Sequence, residues 1–67
     1  MKLRELVGIM NIADVGVMSR STAVDIIGVQ KIDMFDLAND PILRKHGDRE
    51  VVTLTNVAKR GDVIEIM

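Results

Sequence analysis

The sequence predicts a small, mostly-β barrel carrying one or two short helical turns, with residues 1–67 forming a single domain. Three observations lead there. Nine Val, eight Ile and three Thr are β-branched and suit a pleated, half-buried surface better than a helix. Apolar and polar residues alternate in the last third of the chain, and only one segment carries the paired start and stop signals of a helix. No repeat, low-complexity tract or Gly/Ser linker divides the chain.

Taken in order, Leu3, Leu6, Val7 and Met10 recur at i, i+3, i+4 and i+7, so the opening reads as an amphipathic helix; Leu3, Val7 and Ile9 equally suit an irregular strand. Ile12 to Met18, with Val15 and Val17 in alternation, is expected to be a strand. Ser19-Arg20-Ser21 is then a polar turn. Ala23 to Ile32 sets Val24 and Ile26 on one face and Ile27 and Val29 on the other, as in a strand buried on both sides. Asp40 before Pro41, with Gly47 closing Ile42 to His46, gives an N-cap, a first-position Pro and a terminal Gly, hence a short helix. Val52 and Leu54, then Ile64 and Ile66, mark two strands joined through Thr55 to Asp62. Gly61 and Asp62 are the structural turn residues, Gly61 because it reaches backbone angles that a tight corner needs.

Composition narrows the function classes. A chain of 67 residues lies below the roughly 70 to 80 at which one apolar core comfortably holds a fold. With no Cys and a single His it has neither a disulfide framework nor the ligands of a structural zinc site, which leaves oligomerisation as the expected support. At 48% hydrophobic the chain is too apolar for a disordered tail, and its uncharged stretches fall short of the roughly 18 residues that span a bilayer, so no membrane insertion is expected. The start Met1-Lys2-Leu3 lacks the apolar run of a signal peptide, and a cytoplasmic location is the expectation. A net charge of -1 and a single aromatic argue against nucleic acid as the main partner.

Candidate site residues are few. Met34, Phe35 and Leu37 form an apolar cluster that either caps the core, the commoner fate of such residues, or docks on a protein partner, for which adaptable Met is suited. Arg44 and Lys45 are candidates for partner contact, although cations in the last turn of a helix are already favoured by its dipole; His46 reads as a solvated residue of the same helix end. Asp33, Asp36 and Asp40 lack the loop pattern of a calcium site and read as a capped, polar turn. No Ser, Cys or His triad offers nucleophilic or acid–base chemistry, and neither an enzyme activity nor a cofactor is expected. Arg60-Gly61-Asp62 spells an adhesion tripeptide by coincidence, since Gly-Asp already has its turn role.

The two ends of the chain together resemble the PRC-barrel family, small β-barrels related to the cytoplasmic domain of the photosynthetic reaction centre H subunit. Met1-Lys2-Leu3-Arg4-Glu5-Leu6-Val7-Gly8 is similar to that family's opening, and Val52 through Ile64 is similar to its closing strand, one-turn segment, Gly-Asp and last strand. The middle departs from the pattern, with Asp14, Gly16 and Ser19-Arg20-Ser21 where the family has an Asp-Gly hairpin and a second Gly. The resemblance implies a small SH3-like, PRC-type barrel that mediates protein contacts, as a homo-oligomer or on a larger assembly. A second likeness runs to Lac-type repressors. Ile12-Ala13 followed by Ser19-Arg20-Ser21-Thr22 looks like their helix-turn-helix, with the C-terminal hairpin as a wing, although Gly16 stands one residue early for that turn.

Overall fold

The computed structural model describes residues 1–20, 28–57 and 61–67. Helix α1 spans Leu3–Ile9, strand β1 Val15–Ser19, strand β2 Gln30–Lys31, helix α2 Pro41–His46, strand β3 Val51–Val57 and strand β4 Gly61–Ile66. A single 3₁₀ turn, Leu37–Asn39, precedes α2.

The four strands form one mixed sheet in the order β2-β1-β4-β3. β1 pairs antiparallel with β2 and parallel with β4, from Val15↔Asp62 to Ser19↔Ile66. β3 runs antiparallel to β4 with a one-residue bulge between Val51 and Thr53. The mostly-β expectation is met at this level, but the sheet is not closed into a barrel. Its two edges are β2, only two residues long, and β3, and among the described residues nothing joins them.

One face of the sheet carries the core. Val15, Val17, Ile64 and Ile66 point to it, and Leu3 and Val7 of α1, Leu43 of α2 and Ile32 cover them. The i, i+4 spacing of Leu3 and Val7 decides the opening segment in favour of a helix, because both side chains then reach one apolar layer. A helix of seven residues is marginal alone, and its first turn is held from outside. The Leu3 amide donates to the Arg49 carbonyl at 3.0 Å and the Arg4 amide to the Gly47 carbonyl at 2.9 Å, while the Lys2 amide donates to the Glu5 carboxylate at 2.9 Å. The donors left over at the start of α1 therefore meet carbonyls at and beyond the end of α2. Gly47 permits this approach: a β-carbon there would collide with the Leu43 carbonyl oxygen and lie 2.6 Å from the Arg4 guanidinium. Its backbone is right-handed helical, so close packing rather than a left-handed turn explains the glycine.

Several boundaries differ from expectation. β1 begins at Val15, not Ile12, and Ser19 belongs to it; Arg20 continues the pairing by donating its amide to Ile66 at 2.8 Å. Only Gln30–Lys31 of the expected Ala23–Ile32 strand is strand here, residues 23–27 lying outside the described set. β3 runs on through Thr55, Asn56 and Val57, which were expected in the connection; two β-branched residues and the Asn56↔Asp62 pair extend the ladder. The helix-turn-helix is not formed, because Val15–Ser19 is a strand paired on both sides where that motif needs its turn. His46 is buried, not solvated: α2 packs against α1, and the Arg49 guanidinium donates to His46 Nδ1 at 3.2 Å.

Candidate docking surface

The segment between β2 and α2 is organised by carboxylates. Asp40 is buried and serves two structures at once. Its Oδ1 accepts from the amides of Ile42 and Leu43 at 2.9 and 3.0 Å, capping α2, and its Oδ2 accepts from the Asp33 amide at 2.8 Å. Asp33 in turn accepts from the Phe35 amide at 3.1 Å, and Asp36 accepts from the Asn39 side chain. All three carboxylates are thus spent on amide N–H groups within the turn, an arrangement the sequence reading of a capped polar turn anticipates. Among the described residues no group of three His, Asp or Glu side chains is placed to hold a metal ion.

This turn presents Phe35 to solvent with 88% of its surface exposed, while Met34 and Leu37 on either side are half-buried against the core. The cluster read from the sequence is therefore split: two members anchor the turn and the ring is displayed. Beside the ring lies an open groove of about 330 Å³ lined by Met10, Asn11, Ile12, Ala13, Met34 and Phe35. Leu37 and Arg44 line a second groove of the same volume with Arg4, Val7, Ala38 and Leu43. The Arg44 guanidinium reaches Asn39 Oδ1 at 3.2 Å. Lys45 is exposed in the last turn of α2 and lines neither groove.

Met10 to Ala13 supply most of the first groove and were not expected there, because Ile12 was assigned to a strand. The available signal was Asn11 followed by Asp14, which breaks the alternation before Val15. Gly61 and Asp62 form the corner at the start of β4, beside Asp14. Gly61 has φ of 71°, in the left-handed region, and Asp62 accepts from the Asn56 side chain at 2.6 Å.

Charge is locally balanced. Arg4 lies 2.9 Å from Asp48, Arg20 lies 2.8 Å from Glu65, and Lys31 is bonded to Asp14. The Met1 ammonium group sits 2.9 Å from Glu50; that hydrogen bond first, and the Glu50 charge second, raise its pKa above the ordinary 8.0. Its contribution is thus present below pH 8.0 and fades as pH rises through the folded-state value. Such exposed pairs add little to stability. No described helix is long and apolar enough to cross a membrane. Compared with protein-family models, with curated proteins and with solved structures, the chain matches none.

Proposed function

We propose that this chain is a non-enzymatic interaction module of the cytoplasm that self-associates or docks on a larger protein assembly, with the groove beside Phe35 as its docking surface. The observation that carries this reading is the display of the chain's one aromatic ring at 88% exposure, beside a groove with Met10, Ile12 and Met34 in its wall. A ring held out by a hydrogen-bonded turn loses little freedom on binding, and aromatic anchors dominate interface energies. Met side chains adapt to the shape of a partner. Leu37 and Arg44, in the second groove, and Lys45 in the last turn of α2 are further partner contacts of the proposal. The PRC-type barrel is the finer form of the proposal. It rests on the two end motifs, Met1–Gly8 and Val52–Ile64, and the open sheet of the described residues does not by itself supply closure.

Phe35→Ala tests the surface. Because the ring touches little, the melting temperature should stay within the change of about 0.5 kcal/mol typical of surface substitutions. Partner capture from the native host, eluted with and without nuclease, should weaken by roughly 30-fold, the equivalent of a hot-spot loss of about 2 kcal/mol. Unchanged capture overturns the assignment of this surface. Nucleic acid gives a second arm. Duplex DNA of random sequence should bind no tighter than about 10⁻⁴ to 10⁻⁶ M at physiological salt. Submicromolar binding abolished by Lys59→Ala/Arg60→Ala would replace the interaction module with the DNA-binding alternative.

A further inference from the structure

The edge strand β3 has an unprotected stretch, and its backbone pattern identifies which groups are open. The Asp62 amide donates to the Asp14 carbonyl at 3.2 Å, and the Ile66 carbonyl accepts from Arg20, so residues 62, 64 and 66 turn their backbone groups toward β1. Residues 61, 63 and 65 therefore bond to β3, through the registered pairs Val57↔Gly61, Thr55↔Val63 and Thr53↔Glu65. The amides and carbonyls of Leu54 and Asn56 then point away from the sheet, and among the described residues none pairs with them.

Edge strands are normally blunted by charge, Pro or short length. β2 follows that rule: it is two residues long and ends in Lys31. β3 breaks it, with seven residues, Val51 to Val57, that include no charge, no Pro and no Gly. Only its beginning is guarded. There the bulge interrupts the ladder at Val52, and the Val51 amide donates to the Met1 carbonyl at 2.9 Å. From Thr53 onward no described residue pairs with the outer edge, and Thr53 to Asn56 are exposed.

We propose that a second copy of this chain pairs with β3 antiparallel across a two-fold axis at Thr55. In that register Leu54 of each copy faces Asn56 of the other, and the four open amides meet the four open carbonyls in two closed pairs. The edge is complementary to itself. Leu54, in register with the core residue Ile64 yet 46% exposed, meets the other Leu54 diagonally across the axis and gains cover on the core side of the sheet. An uncharged strand brings no like charges together. An edge of five residues buries far less than the roughly 800 Å² per partner of a stable interface, so the dimer dissociates in the micromolar to millimolar range. The inference rests on the self-association half of the proposed function.

Sedimentation velocity on the full chain from 10 μM to 1 mM tests it, those limits being chosen to span about two decades around the weak affinity argued from area. The wild type should move from monomer to dimer. Thr55→Lys and Thr55→Glu, exposed substitutions that leave the β3–β4 ladder intact, should each remain monomeric, because the axis sets like charges together. An equimolar mixture of the two should recover the dimer. Amide exchange gives an independent readout, with protection of Leu54 and Asn56 rising with concentration while Thr53 and Thr55 stay protected throughout. A wild type that remains monomeric to 1 mM, or charged variants that dimerise like it, overturns the proposal. If Phe35→Ala abolishes association and the Thr55 variants do not, the edge is wrong and the Phe35 surface stands.

Discussion

Asp40→Ala should lower the melting temperature by about 10 to 25 °C. The substitution removes three acceptor contacts at once, from Ile42, Leu43 and Asp33, in a buried position. Loss of an N-cap alone costs about 0.5 to 2 kcal/mol, and leaving buried amides without partners adds about 1 to 3. A total of about 2 to 4 kcal/mol is a large share of the roughly 3 to 10 kcal/mol that a chain of this length holds, and each kcal/mol moves the midpoint of so small a domain by about 4 to 8 °C. Asp40→Asn separates the two roles. Its one oxygen can cap α2 or receive the Asp33 amide, but in either case its NH₂ faces a donor, so it should fall between wild type and Ala. A thermal melt followed by circular dichroism measures both variants, and an Asp40→Ala midpoint within 3 °C of wild type would contradict the two-sided bonding, since it corresponds to under about 1 kcal/mol.

Gly61→Val should be the most damaging change in the sheet. The φ of 71° costs a β-branched residue about 1 to 3 kcal/mol. A β-carbon would also stand 2.6 Å from the Asp14 carbonyl oxygen and 2.7 Å from its carboxylate. That carbonyl is the one receiving the Asp62 amide, so any retreat loosens the start of the β1–β4 pairing. Gly61→Asn tells strain from crowding. Asn tolerates left-handed angles, yet it carries the same β-carbon, so a variant as unstable as Val in urea denaturation identifies the contact with Asp14 as the dominant cause. Wild-type stability for Gly61→Val would mean that this corner is built differently.

What could be read from the sequence was local. Helix α2 declares itself through Asp40, Pro41 and Gly47, all within eight positions, and Asp40 does cap it. The alternation of Ile64 and Ile66 marks β4 because strand sidedness needs only neighbours. The pairing of β1 with β4 has no such signature: Val15 and Asp62 are brought together by the completed core, and nothing near either residue distinguishes this parallel contact from the hairpins of a barrel. His46 was misread for the same reason, since dipole reasoning treats the end of α2 alone while the first turn of α1 closes over it. Phe35 left two outcomes open in sequence, core cap or displayed ring; only the Asp33–Asp40 bonding across seven positions turns the ring outward. Met10 to Ala13 could not be assigned to a groove whose other wall begins at Met34.

The position of β4 in the sheet bears on the order in which this chain acquires structure during synthesis. Its neighbours are β1, whose partner residues precede it by almost fifty positions, and β3, which is made just before it. Helix α1 is tied meanwhile to carbonyls of Gly47 and Arg49, so the earliest-made helix waits for a segment made much later. A nascent chain emerging as far as Val57 holds Leu3, Val7, Val15 and Val17 with no Ile64 or Ile66 to cover, and it pays the entropy of the longest loops before any reward arrives. Folding is thereby deferred until residue 66 is free. In that interval the uncharged β3 segment has no strand of its own to pair with, and it is then that contact with another unfinished copy is hardest to avoid.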